Sequence, residues 1–138
     1  MTPEDFPKLF ATAFAAQDGP TLVQMLAEDA AVVTLTGAVA EDQAEAKRAF
    51  DQEFAGTFAR VRLVSGKSRL RPLGPGGAIV HQRYVVIGAQ DQDGRELPRF
   101  GAVLTAVLLA PHRWLARCQS DLFSPDLTGP APPAAPHR

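Results

Sequence analysis

Three side chains in this 138-residue sequence have the chemistry to move a proton or hold a charge at a site: His81, Tyr84 and Asp121. Imidazole titrates near neutrality and serves as a general base or a metal ligand. A phenol donates to a developing oxyanion, and a carboxylic acid can protonate a substrate, although an aspartate at a strand end more often pairs with an arginine. Counting by twos along a candidate strand from Ala78 to Ala89 puts Val80, Gln82, Tyr84 and Val86 on one face. Ile79, His81, Arg83 and Val85 fall on the other. On the last candidate strand Trp114, Ala116, Cys118 and Ser120 oppose Leu115, Arg117, Gln119 and Asp121. A pocket walled by Tyr84, Trp114 and Cys118 is apolar with one phenol handle, whereas one walled by His81, Arg83 and Asp121 attracts an acidic ligand. Alternation leaves both open, and a β-bulge exchanges the faces.

The remaining polar residues point to no further chemistry. His112 sits in a tight turn and His137 near the end of the sequence, a scatter without the spacing of a zinc site, so neither metal nor cofactor is expected. Cys118 is the single cysteine and reads as a small buried side chain rather than a reactive thiol. Arg99, next to Phe100, either reaches a pocket mouth or forms a solvated or interface ion pair. Arg60, Arg62, Lys67, Arg69 and Arg71 give one candidate strand a basic character. Without interleaved aromatics they read as a solvated face that discourages edge pairing, so no nucleic-acid partner is expected. Gly74-Pro75-Gly76-Gly77 lacks the lysine and hydroxyl of a phosphate loop and reads as a turn. Fourteen basic against 15 acidic side chains leave no long-range field at whole-domain scale. No stretch has the length or composition of a bilayer span or a secretory leader, which sets the expectation of a cytoplasmic protein with no membrane partner.

The elements that must position these residues follow from periodicity. Thr2, Pro3 and Asp5 suit a helix start, and Phe6, Leu9, Phe10, Ala13 and Phe14 recur at helical spacing along one face. Gly19 is expected to close that helix, with Asp18 and Pro20 opening a short second one carrying Leu22, Met25 and Leu26 inward. A β-branched strand over about Ala31–Leu35 precedes a third helix, Glu41–Phe54, with Ala46, Ala49, Phe50 and Phe54 on its apolar side. Four strands then follow, Phe58–Leu70, Ala78–Ala89, Arg99–Ala110 and Arg113–Phe123, divided by turn sequences short enough to make neighbours antiparallel. The fold expected is α+β, three helices on a strongly curved antiparallel sheet in the order ααβαββββ. Residues 1–124 form one domain, and 125–138 a disordered tail rich in proline and alanine.

Phe14-Ala15-Ala16-Gln17-Asp18-Gly19, Leu22 to Asp29 running into Ala30-Ala31-Val32-Val33, Gly37, the helix around Phe50 and the closing Trp114 strand together resemble the nuclear transport factor 2-like (NTF2-like) superfamily. Within it they are similar to the SnoaL-like branch of SgcJ/EcaC-type, DUF4440-like proteins. That resemblance implies a cone-shaped, cystatin-like roll whose open end holds a ligand, and pairing into a homodimer through the sheet. It implies a pocket lined by Phe10, Phe14, Thr34, Phe50, Phe54, Tyr84, Arg99, Trp114, Cys118 and Asp121. The superfamily includes steroid isomerases, but laying this chain on their pattern puts Thr34 at the catalytic base and Phe10 at the oxyanion tyrosine. Neither residue can do that work, because threonine does not titrate near neutrality and phenylalanine has no donor. Asp121 stands on the last strand where polyketide cyclases place an acid, without their surrounding motif. The expectation is a protein that holds a small apolar or aromatic molecule, against two alternatives: an isomerase, cyclase or hydrolase using Asp121, His81 or Tyr84, and a non-catalytic dimerisation module.

Overall fold

The computed structural model describes residues 1–110, 115–116 and 123–125. Helix α1 spans Phe6–Ala15, and its buried side carries Phe6, Phe10, Ala13 and Phe14, the face read from periodicity except for Leu9, which is exposed at its margin. Its start lies further along than expected. Thr2 donates through its backbone N–H and its hydroxyl to the Asp5 carboxylate at 3.0 and 2.9 Å, closing a turn before the helix, and Asp5 takes the cap position. The helix end also differs. Gln17, not Gly19, adopts the left-handed conformation, with φ of 53°, and the N–H groups of Gln17 and Asp18 return to the carbonyls of Phe14 and Ala13. Gly19 has another task. It is the first residue of α2, Gly19–Gln24, where an added Cβ would come within 2.7 Å of the Asp51 carboxylate on the third helix. Asp18 caps α2 by accepting from the Thr21 N–H at 3.1 Å.

The single first strand expected over Ala31–Leu35 is instead one arm of a small hairpin. Strand β1, Val32–Val33, pairs antiparallel with β2, Val39–Ala40, and Gly37 turns the chain with φ of 89°. This two-stranded sheet stands apart from the main one. Helix α3, Gln43–Ala55, begins at Asp42, whose carboxylate accepts from the Glu45 N–H at 2.8 Å while Glu45 accepts from the Glu41 N–H. Its buried face is Ala46, Ala49, Phe50 and Glu53, so the charged Glu53 takes the inward position expected for Phe54, which is half-buried.

The main sheet runs β3 (Arg62–Pro72), β4 (Gly77–Ile87), β5 (Phe100–Leu109), with β6 (Leu115–Ala116) and β7 (Phe123–Pro125) both paired antiparallel to β5. Phe58–Val61, expected as the start of β3, forms a turn after α3, and Phe58 and Val61 are buried there. Of the expected closing strand, Arg113–Phe123, only Leu115, Ala116 and Phe123 fall within the described residues. On β4 the inward residues are Ala78, Val80, Gln82, Tyr84 and Val86, opposite Leu108, Ala106, Leu104, Ala102 and Phe100 of β5 respectively. A bulge interrupts β3, where Gly66 and Lys67 oppose Arg83 alone between the Ser65–Tyr84 and Ser68–Gln82 pairs. Buried Gln82 holds that bulge, donating from Nε2 to the carbonyls of Gly66 at 3.0 Å and Lys67 at 3.3 Å.

Helices and sheet meet in an aromatic cluster. Phe14 stands at its centre, with ring centroids 5.5 Å from Phe10, 5.2 Å from Phe54, 5.4 Å from Phe58 and 6.4 Å from Phe50. Replacing it by alanine leaves a void touching α1, α3 and the turn behind α3, and Phe14→Ala is expected to cost about 3–5 kcal/mol by urea melting. At the end of β4, Gly88 has φ of 88°, and a Cβ there would lie 2.4 Å from the Arg60 carbonyl oxygen. That oxygen belongs to backbone and cannot swing aside. Gly88→Ala is expected to destabilise by about 2 kcal/mol or more in the same measurement.

Candidate functional site

Among the described residues the carboxyl that the fold isolates from water is that of Glu53. Helix α3 is amphipathic, and its third and fourth residues after Phe50 and Ala49 return to the same buried face, so Glu53 enters the core one turn beyond Phe50. Only 6% of it is exposed. Its Oε2 accepts a hydrogen bond from the Thr34 hydroxyl at 2.6 Å and another, shorter still, from the Thr36 hydroxyl. These two threonines alternate along the β1–β2 hairpin, where Thr34 N–H donates to the Ala38 carbonyl and Gly37 N–H to the Thr34 carbonyl. Thr34 is buried and Thr36 exposed, so the carboxyl lies one side chain beneath the surface.

Glu53 Oε1 is buried and has no hydrogen-bond partner among the described residues. Burial pushes the Glu53 carboxyl up from the ordinary glutamate range, and the hydroxyls of Thr34 and Thr36 together with the Thr36 backbone N–H pull it part of the way back. Desolvation wins. The group therefore holds a proton at a pH where an exposed glutamate has lost it, and that proton or the lone pair of Oε1 remains unengaged. Chemically, such a carboxyl donates to a carbonyl oxygen when protonated and accepts from a hydroxyl, or takes a proton, when ionised.

The residues expected to form a site separate into three groups. Phe10, Phe14, Phe50, Phe54 and Tyr84 come together: Phe10 and Tyr84 have centroids 6.4 Å apart, and Phe50 stacks on Phe54 at 6.2 Å. Thr34 is hydrogen-bonded to Glu53. Tyr84 is buried, its hydroxyl donates to the Pro7 carbonyl at 2.5 Å, and burial pushes its phenol up. It tethers the sheet to the start of α1. His81 and Arg99 are exposed, and His81 lies across the sheet from Tyr84, its Nδ1 3.3 Å from the Thr105 hydroxyl. Of the two faces left open by the alternation, the structure turns the one carrying Tyr84 inward and the one carrying His81 and Arg83 outward. Trp114, Cys118 and Asp121 lie outside the described residues. Among the described residues no group of three histidine, cysteine, aspartate or glutamate side chains gathers as a metal site. No described helix is long and apolar enough to cross a membrane.

Solved structures share this arrangement of helices on an antiparallel sheet. An uncharacterised protein with a cystatin-like fold from Caulobacter vibrioides superposes with a TM-score of 0.77 at 16% identity, over 92% of this chain and 87% of that one. An NTF2-like protein of unknown function in nutrient uptake from Rhodospirillum rubrum gives 0.66 at 18% identity, over 91% and 97%. The chain has the NTF2-like, cystatin-like fold. A provisionally named dehydratase of the NTF2-like family from Streptomyces avermitilis gives 0.67 at 18% identity, over 88% and 92%. No protein-family model and no curated protein matches the sequence. At these identities the likeness shows the fold alone, and within this NTF2-like frame the chemistry must be read from the chain's own residues.

Glu53 escaped the sequence reading because α3 was assigned an apolar side through Phe54. The signal was nevertheless present, since Glu53 stands three residues after Phe50 and four after Ala49, while Thr34 and Thr36 share one side of an alternating segment.

A titration follows directly. The folded protein holds the Glu53 proton more tightly than the unfolded chain, so between the ordinary glutamate value and the raised one the native state binds more protons. Stability attributable to this group is full below that window and falls as pH rises through it. Thermal midpoints measured against pH are expected to drop across the window in the wild type and to run flatter in Glu53→Gln. Thr34→Val, which removes a donor favouring the carboxylate, shifts the drop to higher pH. Parallel profiles for wild type and Glu53→Gln would remove Glu53 as the titrating group.

Proposed function

We propose that this protein binds a small, largely apolar molecule in the cone between helices and sheet, and that the Glu53 carboxyl is the polar handle that orients it. The observation that carries this reading is the buried Oε1 without a partner, standing one helical turn from Phe50. A buried polar atom left unpaired costs roughly 1–3 kcal/mol, which a ligand carbonyl or hydroxyl would recover. Phe50 and half-buried Phe54 share its helix and supply apolar side chains near it, in keeping with sites that combine apolar walls and few polar anchors. The resemblance to the SnoaL-like branch agrees with such a role.

A second reading is favoured by one contact. Thr34 falls where the steroid isomerases of this superfamily carry their base, and the structure brings the Glu53 carboxyl to 2.6 Å from its hydroxyl. A carboxyl delivered from α3 to that place could shuttle a proton on a bound carbonyl compound. His81 takes no part under either reading, since it faces away from the helices.

Thermal-shift measurements of the full chain against steroids, polyketide-like aromatics and fatty acids test the first reading. One class is expected to raise the midpoint by several degrees, since a ligand at a hundredfold excess over its Kd stabilises by about 2.7 kcal/mol. Glu53→Gln should reduce that shift without lowering the ligand-free midpoint at high pH. No shift from any class would end the binding proposal. Retained binding by Glu53→Gln, with loss of solvent exchange at the carbon beside a ligand carbonyl, would establish the second.

A further inference from the structure

The outward face of the main sheet holds a feature unrelated to Glu53. Across β3, β4 and β5 the charged residues are Arg62, Lys67, Arg69, Arg71 and Arg83, and these three strands contain no aspartate or glutamate. The chain as a whole is close to neutral, with a net charge of −1, so the sheet's cationic character is a local segregation of charge. It has shape as well. Lys67, Ser68, Arg69, His81, Arg83 and Val103 line a groove of about 590 Å³ on the face turned away from the helices.

Two structural devices build this groove. Strand register places Arg69 directly opposite His81, and Arg83 opposite Val103, so their side chains share the outward face. The bulge in β3, held by Gln82 from beneath, adds Lys67 to the same rim by inserting an extra residue opposite Arg83. Lys67 and Arg69 are exposed, and among the described residues neither has a carboxylate partner; the ion pair found there is Lys47–Asp51, on α3. Glu4 lines a smaller hollow of about 110 Å³ alongside Ser68 and Arg69 and is the acid nearest in the lining. A second copy of the chain laid sheet to sheet would set these cations against themselves, which disfavours that occupant.

We infer that this groove is a second binding site, for a small multiply charged anion of the phosphate or pyrophosphate type, with Lys67 and Arg69 as its principal contacts and the His81 ring as a further polar group. Arginine matches a phosphate with a planar fork of donors, lysine adds a mobile point charge, and the apolar floor at Val103 admits whatever organic group carries the phosphate. The site lies on the opposite side of the sheet from Glu53 and is independent of the function proposed above.

Calorimetric titration of the full chain with inorganic pyrophosphate tests it. Saturable binding with one anion per chain is expected, weakening as sodium chloride is raised. Arg69→Ala and Lys67→Ala should each weaken it about tenfold, the loss of one charge-assisted contact. Arg48→Ala, which removes an exposed charge on α3, should leave it unchanged. Absence of saturable binding, or an equal loss in Arg48→Ala, would overturn the proposal. So would sedimentation showing that the wild type self-associates through this face, with Arg69→Ala altering the association and pyrophosphate having no effect.

Discussion

The burial of Phe14 is the constraint on which the rest of this structure depends. Its ring is fully covered and touches aromatic partners from α1, from α3 and from the turn that follows α3. The first helix is therefore fixed against α3 and its following turn, some forty residues along the sequence, by one side chain, and interiors packed at crystal density tolerate little slack in such an arrangement. Because Phe50 must face Phe14, α3 has only one rotational setting. That setting carries Glu53 inward, one turn later, whatever the electrostatic cost.

The consequences of that forced burial are chemical. A carboxyl in water is indifferent to its neighbours at neutral pH, but under the hairpin it becomes a group whose protonation depends on two threonine hydroxyls and on whatever reaches Oε1. The hairpin is shaped for this: Gly37 allows the tight reversal, and the reversal brings Thr34 and Thr36 to the same oxygen. Tyr84 shows the contrasting outcome. It is as deeply buried as Glu53, yet its hydroxyl donates to the Pro7 carbonyl, so it acts as a fastening between sheet and helix.

Much of the frame was legible in the residues. The aromatic face of α1, the apolar side of α3 up to Phe50 and the alternation on β4 all follow from spacing, because burial selects side chains at the period of the element that carries them. Which face of β4 turns inward was not legible, since Val80 and Val86 on one side and Ile79 and Val85 on the other are equally apolar. The structure decides it through packing against α1, and the decision sends Tyr84 inward and His81 outward. The hairpin at Val32–Ala40 was missed because two-residue strands fall below any periodic signal, and Gln17 was missed because a helix-ending role was assigned to the nearest glycine. Gly19 is small for a different reason, the approach of Asp51. Trp114, Cys118 and Asp121, which were to close the pocket, lie outside the described residues.

Two faces of one sheet thus hold opposite chemistries. Inward, the strands present valine, leucine, alanine and a tethered tyrosine to an aromatic layer; outward, arginine and lysine surround a shallow groove. A β-strand makes this separation at almost no cost, since neighbouring residues point apart by construction. The bulge at Gly66 and Lys67 couples the two faces physically, because the amide that steadies it, Gln82, belongs to the inward row while the lysine it positions belongs to the outward rim. Losing Gln82 would leave unpaired carbonyls on the inward side and a displaced cation on the other. An amide at this buried position is therefore better explained by the geometry of the outer groove than by anything the core requires.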